Sequence, residues 1–101
     1  MNKGLTAILL MAMSLPASPD KGTVTKVDIC GSGNTIIETN DGWYIAAEHY
    51  GGTYFYEGDV VFGTMKTYGM QELTRNDGAT ANFYIEDYET SLGDALEELC
   101  E

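Results

Sequence analysis

The stretch TIIETNDGWYIAAEHY, residues 35–50, decides the fold of this chain. Residues 35–39 are rich in β-branched side chains, which favours a strand. The Asn-Asp-Gly at residues 40–42 is a strong hairpin signal, because these residues tolerate the positive φ angles of a tight turn. Residues 43–50 then return as a second strand with two alternating faces. One face carries Trp43, Ile45, Ala47 and His49, and the other carries Tyr44, Ala46, Glu48 and Tyr50.

Short runs separated by turn signals continue outward from this hairpin. We expect further strands at residues 22–29, 57–68, 70–75 and 79–88, and a second Asn-Asp-Gly turn at residues 76–78. In the last of these strands, alternation predicts two sets of side chains. Ala81, Phe83 and Ile85 face inwards, and Asn82, Tyr84, Glu86 and Tyr88 face outwards.

Glycines punctuate the pattern, and the end of the chain changes its period. Gly51-Gly52 predicts a break after the first hairpin, and Gly63 predicts a bend within a strand. Residues 90–100 place four apolar side chains on one helical face: Leu92, Ala95, Leu96 and Leu99. Ser91 is in position to cap this helix, with Asp94 three residues on. So short a helix is not stable alone, and its apolar face must pack against the sheet.

Six short strands and one helix predict a small, mainly β domain. We expect a partly open antiparallel barrel of OB or SH3-like type, with five to six strands and a C-terminal helix. The alternative is a curved antiparallel sheet with the helix packed on one face. The fragments GTVTKV, IIETNDGW and EGDVVFG resemble pieces of small, uncharacterised exported β-barrel proteins of bacteria and their phages. That resemblance implies a barrel fold, and no function comes with it.

The first 17 residues predict a signal peptide, followed by one domain at residues 18–101. A short basic start precedes an uncharged, mostly apolar run at residues 4–15, and small residues follow it at a suitable cleavage position. Such a run spans only about 18 Å as a helix, too short for the roughly 30 Å core of a bilayer. We therefore expect an exported protein, periplasmic or extracellular, with no stable membrane insertion after cleavage.

Cys30 and Cys100, the two cysteines, both lie in the part that survives cleavage. In an oxidising compartment, an even number of cysteines favours a disulfide. This one would join the end of the first strand to the end of the helix, and closing so long a loop is worth on the order of 4 kcal/mol. The alternative is two unpaired thiols.

The charge of the chain limits its partners. Sixteen acidic residues face five basic ones, for a net charge of -11. Such a surface repels phosphate backbones and anionic lipids, which excludes ordinary nucleic-acid binding. It suits a cationic partner, a divalent metal or a salty environment, and the simplest interpretation is solubility.

Catalytic and metal-binding patterns are weak. His49 is the only histidine, which excludes a multi-histidine zinc or copper site within one chain. It could serve a small hydrolase as a base together with carboxylates, but alternation predicts a partly buried or rim position. The CGSG at residues 30–33 is better explained as a turn than as part of a cysteine-protease motif. The acidic turns at residues 40–42, 57–59 and 76–78 could hold calcium, although none has EF-hand spacing. No cofactor or resident metal is predicted.

Aromatic side chains supply the remaining candidate site. Trp43, Phe55, Phe62 and Phe83 are expected to fill the core. Tyr44, Tyr50, Tyr54 and Tyr56 are the candidate binding residues, if they lie outwards. The alternative is that these tyrosines support neighbouring strands.

Four hypotheses about function follow from these features. The first hypothesis is a non-enzymatic binding module for a protein or cell-envelope component, in its sharpest form an inhibitor of a basic enzyme such as a lysozyme. The alternatives are the His49 hydrolase and an acidic calcium- or glycan-binding domain. An acidic DNA mimic is a further hypothesis, which the predicted export signal contradicts.

Overall fold

The computed structural model describes residues 19–101, so the predicted signal peptide, residues 1–17, lies outside the described residues. The described chain forms six strands followed by one helix. The strands are β1 (Asp20–Val27), β2 (Asn34–Thr39), β3 (Tyr44–Gly52), β4 (Val60–Gly63), β5 (Gly69–Arg75) and β6 (Thr80–Thr90), and the helix is α1 (Leu92–Cys100). No helix in this part of the chain is long and apolar enough to cross a bilayer.

The six strands close into an antiparallel barrel in the order β1-β2-β3-β6-β5-β4. Two runs of three consecutive strands make up the barrel, and the pairs β3–β6 and β1–β4 join them. The prediction of a small antiparallel barrel with a C-terminal helix is confirmed. The ring is closed rather than partly open, which leaves none of the described strands with an unpaired edge.

Alternate residues of the strands fill the barrel interior, as a period of two requires. The interior cluster contains Val24, Ile37, Ile45, Ala47, Phe55, Val61, Met65, Leu73, Ala81, Phe83 and Ile85. The inward positions predicted in β3 for Ile45 and Ala47, and in β6 for Ala81, Phe83 and Ile85, are confirmed.

Two aromatic residues predicted to fill the core lie outside it. Trp43 is 48% exposed. It precedes β3, and its carbonyl oxygen accepts a hydrogen bond from the Thr39 N–H across the β2–β3 turn, so the alternation of β3 does not extend to it. Phe62 is half-buried beside the fully buried Val61. Successive residues of a strand face opposite ways, and Val61 takes the inward position.

The outside of the barrel carries a second apolar cluster, which α1 covers. Ile36 of β2 and Ala46 of β3 pack against Ala95 of α1, and all three are fully buried. Together with the partly buried side chains around them they form what we name the covered patch, which adds Ile29, Tyr44, Leu92, Leu96 and Leu99. The predicted apolar face of the helix is therefore confirmed.

Specific contacts stabilise both ends of α1. At its start, the Ser91 hydroxyl oxygen accepts a hydrogen bond of 3.1 Å from the Asp94 N–H, which is the predicted cap. At its end, Cys100 forms a disulfide with Cys30, the two residues expected to pair. The Asn34 side-chain amide also donates to the Leu99 carbonyl oxygen, at 3.4 Å. The helix is therefore tied to the turn between β1 and β2.

Glycine is needed at two close approaches of the backbone. Gly52 has φ of 85°, and a Cβ there would lie 2.7 Å from the Thr80 carbonyl oxygen. Strand β3 thus runs through Gly51-Gly52 and pairs with β6, so the predicted break is wrong. Gly63 ends β4 with φ of 148°, and a Cβ there would lie 2.7 Å from Leu73 Cδ2. A larger residue at either position would push two strands apart.

A β-bulge in β6 turns its last residues. Ala46 pairs with Asp87 and Ala47 pairs with Ile85, which leaves Glu86 as an extra residue in β6. The alternation reverses beyond the bulge, so Tyr88 packs against the barrel core and the prediction that it faces outwards is wrong. Asp87 is turned towards α1 instead.

Candidate functional site

The four tyrosines predicted as one binding surface lie in three places. Tyr44 is partly buried in the covered patch. Tyr50 is 61% exposed on β3. Tyr54 and Tyr56 lie in the loop between β3 and β4, where their ring centroids are 5.0 Å apart. Of the four, the structure brings together Tyr54 and Tyr56 alone.

His49 and Tyr54 belong to a packed end of the barrel. The His49 ring lies edge-on to Phe83 and to Tyr54, at centroid distances of 5.3 and 5.5 Å, and its Nε2 is 3.0 Å from the Thr53 carbonyl oxygen. The Tyr54 hydroxyl donates a hydrogen bond to Asp28, which raises the pKa of Tyr54 to about 12. The same hydrogen bond, followed by one from a backbone N–H, lowers the pKa of Asp28. His49 is therefore partly buried at the rim, as its alternation predicts.

A second group of apolar side chains is exposed on the outside of three adjacent strands. Tyr50 of β3 and Tyr84 of β6 have ring centroids 6.2 Å apart. Met70 of β5 lies directly opposite Tyr84 across the next strand pair. Tyr84 is 42% exposed and Met70 is 47% exposed. We name Tyr50, Tyr84 and Met70 the open face, because no element of the described chain covers them.

The sequence predicted Tyr50 as a binding residue, but it did not predict Tyr84 or Met70 as binding residues. Alternation did predict that Tyr84 faces outwards, but nothing local indicates that its strand lies beside Tyr50. That neighbourhood depends on the pairing of β3 with β6, which are not consecutive along the chain. Met70 enters through the pairing of β5 with β6. These neighbours depend on the order of the strands in the barrel, which local patterns in one sequence do not reveal.

Two carboxyl groups lie beside the open face and form what we name the carboxyl pair. Glu48 is the cross-strand partner of Tyr84, and Glu86 is the bulged residue two positions beyond Tyr84. Burial raises the pKa of Glu86 from 4.5 to about 7, with further contributions from its hydrogen bond to Glu48 and from the negative charges of Glu48 and Glu98. At neutral pH the Glu86 carboxyl is therefore partly protonated.

An acidic groove lies between the end of β6 and α1. It has a volume of about 280 Å³ and is lined by Asp87, Asp94, Glu97, Glu98 and Glu101. Its potential attracts cations. Even so, no group of three or more His, Cys, Asp or Glu side chains among residues 19–101 is arranged to hold a metal ion.

In each of the acidic turns considered for calcium, an aspartate carboxylate has a basic partner. Asp41 lies 2.9 Å from the Lys66 ammonium group. Its hydrogen bond from Thr39, followed by that from Lys66, lowers its pKa to about 2. Asp77 lies 2.9 Å from the Arg75 guanidinium, which lowers the pKa of Asp77 to about 2. Their oxygens serve the turns themselves, and nothing in this arrangement favours calcium.

No protein-family model, curated protein or solved structure matches this chain. The resemblance to small exported barrel proteins therefore stays a prediction. Function has to be argued from the open face, the carboxyl pair and the charge around them.

Proposed function

We propose that this protein is an exported, non-enzymatic binding module, and that its open face binds a basic protein of the cell envelope. The open face carries the proposal, because it sets large apolar side chains side by side on the outside of a closed barrel. The largest exposed apolar patch of a small protein is often functional. Aromatic anchors on a rigid sheet also lose little conformational entropy when a partner binds.

The charge of the molecule supports a basic partner. Sixteen acidic residues outnumber five basic ones. Within residues 19–101, Lys66 and Arg75 are already tied to carboxylates by ion pairs. The carboxyl pair borders the open face, and the acidic groove lies on its helix side. A positively charged surface would be attracted to this region, whereas nucleic acids and anionic membranes would be repelled.

Export is supported by two features. The disulfide between Cys30 and Cys100 is of the kind that persists in the periplasm or outside the cell. The N-terminal apolar run of the sequence is typical of a signal peptide. Together they favour a partner in the envelope or the medium.

The alternative functions have less support. A hydrolase would need His49 free to reach a substrate, but its ring packs between Phe83 and Tyr54, and its Nε2 lies at the Thr53 carbonyl oxygen. Calcium binding at the turns would compete with Lys66 and Arg75 for the same carboxylates. A glycan could stack on the tyrosines of the open face, and the experiment below includes it for that reason.

The test is isothermal titration calorimetry with a basic lysozyme, a second basic protein, an acidic protein and a chitin oligosaccharide. We expect a basic protein to bind with a Kd of micromolar or tighter, and more weakly as salt rises. Tyr50→Ser combined with Tyr84→Ser should weaken binding at least tenfold, since both anchors are removed. Trp43→Ser is the matched control, because Trp43 is an exposed aromatic seven residues before Tyr50, roughly 20 Å from it along the chain.

Each outcome decides between functions. If neither basic protein binds at low salt, the proposal is wrong. If the oligosaccharide binds and the double tyrosine variant loses it, the open face recognises glycans instead. If the lysozyme binds, its remaining cell-wall hydrolysis tests whether the protein is an inhibitor. An inhibitor requires this activity to fall as the complex forms.

A further inference from the structure

We propose that a lysine or arginine side chain of the partner docks at the carboxyl pair beside Tyr84, and that docking displaces a proton from the pair. This inference rests on the proposed function and adds that pH regulates the binding. Binding at the open face becomes weaker as the medium turns acidic.

The register of β3 and β6 places the carboxyl pair and the tyrosines on one surface. Glu48 lies directly opposite Tyr84 and two residues before Tyr50 on the same strand. Directly opposed side chains have Cβ atoms about 5 Å apart, and diagonal neighbours lie about 7–8 Å apart. A cationic side chain that lies over the Tyr84 or Tyr50 ring can therefore reach the carboxyl pair with its charged end. Cation–π contact and a charge-assisted hydrogen bond then act on the same group.

Within residues 19–101, the groups that shift the pKa of Glu86 include no cation. Strand β3 contributes Glu48, and α1 contributes Glu98. Strand β5 contributes Met70 opposite Tyr84, and Tyr68 precedes that strand and lies edge-on to Tyr88. The neighbouring Asp87 faces the acidic groove. In residues 19–101, the ion pairs of Lys66 and Arg75 go to carboxylates outside the pair. The partner's cation would be the first to meet this charge.

The direction of the pH effect follows from the proton that the pair holds. In the free protein, the raised pKa of Glu86, about 7, leaves much of its carboxyl protonated at pH 6.5. A docked ammonium or guanidinium group favours the carboxylate, so the proton passes to the buffer. The complex then holds fewer protons than the separate partners, and affinity rises with pH until the pair is ionised. We expect roughly tenfold tighter binding at pH 8 than at pH 5.5.

The experiment is calorimetric titration of the protein with poly-L-lysine and with a basic lysozyme, at pH 6.5 in two buffers that differ in ionisation enthalpy. The difference in observed heat gives the number of protons released, which should lie between about half and one per complex. Glu86→Gln should release none through this site and should flatten the change in Kd between pH 5.5 and pH 8. Glu72→Gln is the matched control, because it removes one carboxylate from β5, opposite Asn82, and should leave the coupling intact.

The outcomes separate this inference from the function beneath it. If the probes bind but Glu86→Gln keeps the proton release and the pH dependence of the original protein, the coupling is wrong and the binding module stands. If neither probe binds at pH 8, both proposals are wrong. A carbon NMR titration of the Glu86 carboxyl gives an independent readout. A midpoint near 7 that moves lower in the complex supports the inference, and one near 4.5 in the free protein contradicts it.

Discussion

Two apolar surfaces lie on the outside of the same barrel, and the chain covers one of them. The covered patch contains Ile36 and Ala46, which pack beneath α1 and are fully buried. The open face contains Tyr50, Tyr84 and Met70, which are exposed. Strand β3 contributes to both surfaces, so neither strand position nor period separates them. What separates them is a helix fastened by a disulfide over one end of the strand.

The fully buried members of the covered patch are aliphatic, whereas two of the three members of the open face are tyrosines. Aliphatic side chains such as Ile36 have no polar atom to offer water, whereas a tyrosine presents an apolar ring and a hydroxyl group. Between the two surfaces lies the carboxyl pair, whose bulged Glu86 is followed by Asp87 in the acidic groove under α1. One surface therefore serves folding and the other is suited to a partner, with the carboxyl pair between them.

The largest expected effect on stability comes from removing the disulfide that holds α1 over the covered patch. Cys30→Ser combined with Cys100→Ser opens a loop with a sequence separation of 70 residues. The chain-entropy model gives a loss of about 4 kcal/mol in the free energy of unfolding, measured by urea denaturation. The unmodified protein under reducing conditions should lose the same amount. A loss below about 1 kcal/mol would mean that α1 stays on the covered patch without the bridge.

A smaller effect is expected from a cavity beneath the helix. Ile36→Ala removes a fully buried side chain from the covered patch and should cost about 3 kcal/mol in the free energy of unfolding. Met70→Ala on the open face is the matched truncation and should change stability by less than about 0.5 kcal/mol. Denaturation of both variants under one set of conditions measures the contrast. Similar losses in the two would contradict the division into a folding surface and a binding surface.

The boundary between the surfaces predicts how stability depends on pH. Because the pKa of Glu86 is raised to about 7 in the folded protein, its stabilising proton is fully present below about pH 4.5 and is lost as the pH rises through 7. After allowance for solvent screening, ionisation of Glu86 should lower the free energy of unfolding by on the order of 1 kcal/mol. Asp41 and Asp77 act in the opposite sense, since their lowered pKa values make them stabilising above about pH 4 and less so as the pH falls towards 2.

Thermal unfolding between pH 3 and pH 8 measures this dependence. We expect a maximum near pH 5 and a decline towards pH 8. Glu86→Gln should unfold at a higher temperature than the original protein at pH 8 and at a similar temperature at pH 5. If the variant lost stability at both pH values, Glu86 would be needed for packing, and its raised pKa would not explain the pH dependence.

Most of the fold could be predicted from the sequence, because its signals are local. The Asn-Asp-Gly turns, the two-residue alternation in β6 and the helical spacing that ends at Leu99 each depend on neighbouring residues. Trp43 was misplaced because alternation was extended through a turn. Tyr88 was misplaced because a bulge adds one residue and reverses the faces.

The candidate site could be predicted only in part, because it depends on pairing between distant strands. Tyr50 was predicted as a candidate from the sequence. Its neighbour Tyr84 lies beside it because β3 pairs with β6, and no local pattern predicts that pairing. The carboxyl pair depends on the same register and on the bulge at Glu86. Single-chain patterns do not reveal where a bulge falls. The basic partner that we propose was already favoured by the charge composition, which is a sum over residues and needs no strand order.

The smallest expected effect on stability tests the open face itself. Tyr50→Ser combined with Tyr84→Ser removes one exposed cross-strand pair, for which we expect a loss of about 0.5 kcal/mol in the free energy of unfolding. The same double variant should lose at least tenfold in affinity for a basic protein. If the tyrosines were support for the sheet, denaturation would reveal a loss above about 2 kcal/mol, comparable with that of Ile36→Ala. A large effect on binding with a small effect on folding would instead mean that the chain keeps these rings exposed for a partner.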